Sequence, residues 1–180
     1  VFYSISNCQT GLAGISFGNL LIKQVVGELS SELPNLKTFV TLSPIPRLKQ
    51  WLEAAIDFEN SDLNAGQVTP DDVSEGLAAY YLLNAKNARN EPFDPVARFH
   101  LGNGAKIHAV HAKADTTEKG QGQSNGVMVN YLYDLGQIER NHEAFIAKGE
   151  IAAEKSVKSR GDLAGLKLKV RADKAPRKQE

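Results

Sequence analysis

The sequence lacks the features that cross-link small secreted proteins or anchor proteins in membranes. Its 180 residues include one cysteine, and no uninterrupted apolar run approaches the roughly 18 to 20 residues of a membrane-spanning helix. One cysteine excludes an intramolecular disulfide framework and a cysteine-rich metal site, which fits a reducing compartment. We therefore expect a soluble chain with no membrane partner.

The charge of the chain sums to zero but is unevenly distributed. Residues 154–180 carry nine Lys or Arg and four Asp or Glu, a net charge of +5 that leaves −5 on residues 1–153. This basic end has no aromatic interleaving, so it is typical of a solvated segment and not of a nucleic-acid surface. The sequence therefore predicts one domain over residues 1–153, followed by a basic, disordered tail.

The organising feature is a glycine-rich stretch between a predicted strand and a predicted helix. Side chains of residues 1–6 alternate between two faces, as in a strand, and glycines recur over 11–18. Asn19 is the expected N-cap of a helix, because the apolar residues after it have helical spacing. Residues 36–42 predict a second strand, which completes a strand–helix–strand unit with near-parallel strands. A glycine loop at a helix N-terminus suits a phosphate group. The alternative is a flexible turn, because the spacing matches no common phosphate motif.

The rest of the sequence alternates helices and strands, which predicts an α/β fold. Helices are expected over residues 47–58, 73–83, 94–99 and 137–151, and strands over 105–112 and 126–135. Residues 115–125 are rich in Gly, Gln and Thr and predict a flexible connection. One face of the last strand is expected in the core: Val127, Val129, Tyr131 and Tyr133.

Two side chains are candidates for chemistry. Ser43 follows a predicted strand and precedes Pro44, so its hydroxyl is held rigidly, although a turn serine is the alternative. His100 lies at a predicted helix C-terminus, which favours the imidazolium form and a proton to donate. The alternative for His100 is a capping role. His108 and His111 are three apart on a predicted strand, an arrangement that argues against a shared metal.

Five segments together, in this order and spacing, resemble the malonyl-CoA decarboxylase family. They are FYSIS at 2–6, GLAGISFGNLLIKQVV at 11–26, LSPIP at 42–46, DPVARFHLGNGA at 94–105 and NYLY at 130–133. The resemblance covers about residues 1–150. It implies that the chain is the C-terminal part of a catalytic domain with a GNAT-like mixed sheet and flanking helices. The N-terminal strands of that sheet are expected to be absent from this chain.

The resemblance also implies an activity and its residues. The activity is decarboxylation of malonyl-CoA to acetyl-CoA and CO₂, with Ser43 as proton acceptor, His100 as proton donor and Tyr133 at the pocket. Ser43 and His100 also belong to the malonyl-CoA site, with a binding loop of Ala13, Gly14, Ile15, Ser16, Phe17, Gly18 and Asn19. Coenzyme A is part of the substrate, so no metal or organic cofactor is expected. The resemblance further implies a homo-oligomer.

Two other functions fit the same residues. A GNAT-type acyltransferase would use the same pyrophosphate loop and pass the acyl group to an amine. A non-catalytic acyl-CoA-binding fragment would bind the ligand without turnover. The final residues, 177–180, differ from the Ser-Lys-Leu type signal of peroxisomal family members, so we expect a bacterial-type cytoplasmic protein.

Overall fold

The computed structural model describes residues 17–55 and 70–162 of the chain. Within these ranges the helices are α1 (Phe17–Glu32), α2 (Leu48–Ala55), α3 (Pro70–Asn84), α4 (Pro95–Gly102), α5 (Glu118–Ser124), α6 (Ile138–Lys148) and α7 (Lys155–Arg160). The strands are β1 (Ser43–Pro44), β2 (Lys106–His111) and β3 (Met128–Leu132). The fold is therefore mixed α/β, as predicted. The predicted first strand and most of the glycine loop lie outside the described residues.

The described strands form an antiparallel sheet in the order β1-β3-β2. Ahead of β1, the Thr41 N–H donates to the Tyr131 carbonyl at 2.9 Å, and the Tyr133 N–H donates to the Phe39 carbonyl at 2.8 Å. The near-parallel arrangement predicted for residues 1–6 and 36–42 stays a prediction, because residues 1–6 lie outside the described residues. The strand expected over 36–42 is observed later in the chain, as β1 at Ser43–Pro44, preceded by an isolated bridge between Val40 and Leu132. Pro44 has no N–H to donate, and among the described strands β1 pairs with β3 alone, so none of them needs that donor on its other side.

The core is centred on β3. The four side chains predicted to share its buried face are each at most 1% exposed: Val127, Val129, Tyr131 and Tyr133. Trp51 of α2 packs against Tyr81 of α3 with ring centroids 5.3 Å apart, which joins these two helices to the same hydrophobic cluster. Alternation along one strand was a sufficient signal here, because this face of β3 and its flanking residues lies in the hydrophobic core.

Two local differences from the predictions have clear causes. The segment expected to be a flexible connection contains α5, because Thr117 caps its first turn by accepting from the Gly120 N–H at 3.0 Å, and Asn125 ends it in the left-handed conformation. Helix α1 begins at Phe17, so Asn19 lies inside the helix and is not its N-cap. Side-chain caps can overcome a composition that otherwise favours a loop.

The start of the expected basic tail is also ordered. Glu154 donates its N–H to the Ile107 carbonyl at 2.9 Å, and α7 follows with Val157 buried. Arg160 of α7 forms an ion pair with Glu75 of α3. Disorder is therefore not observed over 154–162, because an apolar side chain and backbone pairing attach this segment to the core. Residues 163–180 lie outside the described residues.

None of the helices within residues 17–55 and 70–162 combines the length and apolar character needed to cross a membrane.

Candidate active site

Helix α4 holds His100 in the protein interior. Asp94 caps its N-terminus: Oδ1 accepts from the N–H groups of Val96 and Ala97, each at 2.9 Å. Pro95 occupies the first turn, where its missing N–H costs nothing. The Tyr81 hydroxyl donates to the second Asp94 oxygen at 3.3 Å, and this bond ties the cap to α3. A local Asp-Pro signal thus sets where the helix starts and which face His100 occupies.

Ser43 approaches the same place from the sheet. It lies in β1 opposite Val129 of β3, with its side chain buried. The sequence placed Ser43 after a strand, whereas the structure places it within one. Its pairing with Val129 fixes the backbone that carries the hydroxyl.

Three residues that are far apart in the sequence meet here. Ser43 Oγ lies 3.2 Å from His100 Nε2, and the Tyr133 hydroxyl oxygen lies 2.7 Å from His100 Nδ1. All three side chains are buried, with 5% or less of their surface exposed. The structure therefore brings together Ser43, His100 and Tyr133, the three residues that the resemblance implied for catalysis.

The environment of His100 holds its imidazole neutral. The ring stacks on Tyr131 with centroids 4.3 Å apart, and it meets Phe99 edge-on. Burial lowers the pKa of His100 to about 3 from the ordinary value of 6.5. The expectation that the helix C-terminus would favour an imidazolium is thus wrong, because desolvation outweighs the helix dipole. A neutral imidazole carries one N–H, so the position of that proton decides what the ring can do.

The hydrogen bonds indicate where the proton is. The Ser43 hydroxyl donates to Thr41 Oγ1 at 2.9 Å, which leaves the Ser43 oxygen free to accept from His100 Nε2–H. His100 Nδ1 then has no proton and accepts from the Tyr133 hydroxyl. This tautomer is inferred from the pattern of partners. Thr41 was missed in the sequence, although two hydroxyl residues spaced two apart on a strand share one face and could have drawn attention to it.

A neutral buried histidine makes stability depend on pH. Between pH 6.5 and about pH 3 the unfolded chain binds a proton at His100 that the folded chain does not. We therefore expect the free energy of unfolding to fall with decreasing pH in this window, by about 1.4 kcal/mol per pH unit from this group. Urea unfolding at pH 5 and pH 7 of the full-length protein and of its His100→Gln variant measures this change in the free energy of unfolding. Equal pH dependence in both proteins would contradict the expectation.

The other candidates lie elsewhere. Residues 13–16 of the expected binding loop lie outside the described residues, and the last three, 17–19, form the first turn of α1. His108 Nδ1 lies 3.5 Å from Glu154, and His142 Nδ1 bonds to the Gly102 carbonyl at 2.6 Å. In the described part of the chain, no three His, Cys, Asp or Glu side chains are grouped so that they could hold a metal ion.

Comparison with known proteins gives one consistent family. The sequence matches the family model described as the malonyl-CoA decarboxylase C-terminal domain over residues 1–73 and 65–178. Mitochondrial malonyl-CoA decarboxylases of Anser anser anser and Mus musculus are 32% and 34% identical over 88% of this chain. The matched regions are 39% and 40% of those relatives.

Solved structures agree with the sequence comparison. The malonyl-CoA decarboxylase of Rhodopseudomonas palustris is 47% identical, with a TM-score of 0.77 over 88% of this chain and 41% of that protein. The enzyme from Agrobacterium vitis is 43% identical, with a TM-score of 0.75 over 89% of this chain and 44% of that protein. The chain thus spans about two fifths of the length of the relatives it matches.

Proposed function

The chain belongs to the malonyl-CoA decarboxylase family, and from this premise we propose that it carries the catalytic pair of an enzyme that converts malonyl-CoA to acetyl-CoA and CO₂. The observation that carries the proposal is the buried contact between Ser43 Oγ and His100 Nε2, 3.2 Å long. It joins a hydroxyl on the sheet to a neutral imidazole on α4, and both are groups that can hold or move a proton.

Decarboxylation requires one bond to break and one proton to be delivered. The bond between the α-carbon and the carboxylate breaks, its electron pair enters the thioester as an enolate, and CO₂ departs. The α-carbon then takes a proton and becomes the methyl group of acetyl-CoA. The thioester itself accepts the electron pair, so the proposal includes no metal or organic cofactor. The net reaction consumes one proton from solvent.

His100 is suited to deliver that proton in its neutral form. The α-carbon of a thioester is a far weaker acid than imidazole, so the enolate can take a proton from Nε2–H without a preceding imidazolium. As that proton leaves, Nδ1 can receive the proton of the Tyr133 hydroxyl, which lies 2.7 Å away. The ring then carries no net charge after the transfer, and water restores the tyrosine proton. The low pKa of His100 thus fits a neutral donor.

Ser43 is proposed to hold the departing carboxylate. In the substrate-free site its hydroxyl donates to Thr41. A bound malonyl carboxylate would replace Thr41 as acceptor and would lie beside His100 Nε2. The departing carboxylate and the proton donor would then both lie next to the α-carbon. Decarboxylation and protonation at that carbon require this positioning.

The proposal also includes a coenzyme A site in the glycine loop. Helix α1 begins at Phe17, at the end of the glycine-rich stretch over residues 11–18, so its N-terminal amides and helix dipole suit a pyrophosphate. From the family resemblance we further propose a GNAT-like sheet, a homo-oligomer and a cytoplasmic location. The antiparallel sheet with flanking helices is compatible with the first of these.

The full-length protein incubated with malonyl-CoA and no amine tests the activity. We expect acetyl-CoA and CO₂ to appear in equal amounts. Strict dependence of product on an added amine would favour the acyltransferase alternative and overturn the proposal. Binding of malonyl-CoA without any product would also overturn it and would favour a non-catalytic acyl-CoA-binding protein.

A further inference from the structure

The chain segment that carries Ser43 buries a second hydroxyl group. Over residues 39–45 the odd-numbered side chains are at most 5% exposed: Phe39, Thr41, Ser43 and Ile45. Two hydroxyl side chains, two positions apart on an extended segment, therefore share a buried face with two apolar ones. Valine has the shape of threonine without the hydroxyl and would suit such a face at residue 41. The buried hydroxyl of Thr41 therefore calls for an explanation.

Three hydrogen bonds to β3 hold Thr41 in place. Its N–H donates to the Tyr131 carbonyl at 2.9 Å, and its carbonyl accepts from Asn130 Nδ2 at 2.5 Å. In a regular antiparallel pair the Tyr131 N–H would bond to the Thr41 carbonyl. Here the Tyr131 N–H donates to Thr41 Oγ1 at 3.3 Å. The side-chain oxygen of Thr41 thus takes part in the sheet pairing, and β3 sets its position.

Thr41 in turn contacts Ser43. Ser43 Oγ lies 2.9 Å from Thr41 Oγ1 on one side and 3.2 Å from His100 Nε2 on the other. A serine side chain has three staggered χ1 positions, and the observed one brings Oγ to both partners. Because Thr41 Oγ1 is itself fixed by β3, its bond to Ser43 favours this position over the other two.

Resting on the proposed function, we propose that Thr41 is a positioning residue: its hydroxyl keeps Ser43 Oγ against His100 Nε2, ready for the malonyl carboxylate. Thr41 acts through Ser43 and does not touch the reacting atoms. A hydroxyl can accept or donate. When the carboxylate takes the Ser43 proton as its hydrogen bond, the Thr41 hydroxyl can turn and donate to Ser43 Oγ, so the contact persists while the substrate is bound.

Two substitutions in the full-length protein test the hydroxyl. Thr41→Val keeps the β-branched shape and removes the hydroxyl, whereas Thr41→Ser keeps the hydroxyl. One hydrogen bond shifts an equilibrium by about 2- to 10-fold, so we expect kcat to fall on the order of 10-fold in Thr41→Val and by less than about twofold in Thr41→Ser. KM for malonyl-CoA should change less than kcat, since the proposed coenzyme A site at α1 is untouched.

A second background shows whether Thr41 acts through Ser43. In Ser43→Ala there is no hydroxyl to position, so adding Thr41→Val should lower kcat by less than about twofold. A side chain that only supports the fold would lower kcat by the same factor in both backgrounds, because the free-energy effects of independent sites add.

The ¹⁵N shift of His100 Nε2 gives a readout that needs no turnover, because it depends on the hydrogen bond of that nitrogen to Ser43. We expect Thr41→Val to move this shift towards its value in Ser43→Ala, and Thr41→Ser to leave it at the natural value. The matched control is Ser124→Ala, which removes another buried hydroxyl, one that donates to the Val127 carbonyl at 2.7 Å. The control should leave the shift and kcat unchanged.

The shift and the rates decide separate points. An unchanged Nε2 shift in Thr41→Val overturns the inference, as does an equally large change in Ser124→Ala. Equal falls in kcat on adding Thr41→Val to both backgrounds overturn it too. A shift in Thr41→Ser as large as that in Ser43→Ala overturns it even if the valine variant does not fold. If the natural protein releases no CO₂ from malonyl-CoA, the proposed function fails, while the shift still shows whether Thr41 positions Ser43.

Discussion

Replacement of His100 by alanine is expected to abolish CO₂ release from malonyl-CoA by the full-length protein while coenzyme A binding persists. The change removes the ring that contacts both Ser43 and Tyr133, and with it the proposed Nε2–H donor. Positioned proton transfer contributes about 10² to 10⁴-fold to a rate, so we expect kcat to fall by at least about 10³-fold. Formation of acetyl-CoA measures the rate, and calorimetry measures coenzyme A binding.

His142→Ala is the matched control for this prediction. His142 is also partly buried and bonds to the carbonyl of Gly102 at the end of the same helix. Among the described residues, no hydrogen bond joins it to Ser43 or Tyr133. We expect its kcat to stay within about twofold of the natural protein. Near-normal turnover in His100→Ala would end the assignment of His100 as proton donor. An equal fall in kcat in both variants would indicate that the substitutions damage α4, and not that His100 delivers the proton.

The helix that carries His100 could be predicted closely, because its signals are local. Asp94 and Pro95 mark its start, and the Gly102-Asn103-Gly104 turn marks its end. The contact between Ser43 and His100 could not be obtained from spacing. It joins residues 57 positions apart and depends on the pairing of β1 with β3, which nothing in the local sequence predicts. The resemblance to a family supplied that pair before the structure did.

Other features depended on long-range packing. The charge state of His100 was mispredicted because the helix dipole is a local effect, whereas desolvation comes from Tyr131 and Phe99 closing around the ring. The order of residues 154–162 was missed because Val157 is a single apolar residue in a basic segment, and its burial is visible only once the core is assembled.

The turn after α4 has no room for an added side chain, and Gly104→Ala tests this. Gly104 has φ of +78°, a conformation that alanine adopts with strain, and a Cβ there would collide with the Ile138 carbonyl oxygen and lie 2.8 Å from its carbonyl carbon. These atoms are backbone at the first residue of α6, so relief requires the helix to move. We expect the free energy of unfolding to fall by at least about 3 kcal/mol, measured by urea denaturation of the full-length protein.

Gly102→Ala is the control for that loss. Gly102 lies two residues earlier, in α4, where an added Cβ would meet only the Phe145 ring at 3.9 Å and where φ is not positive. Alanine favours a helix over glycine by about 1 kcal/mol, so this variant should be neutral or slightly more stable. Equal stabilities of the two variants would contradict the close approach of α6 to the turn. A large loss in Gly104→Ala alone would show that the contact between α4 and α6 holds the end of the helix that carries His100.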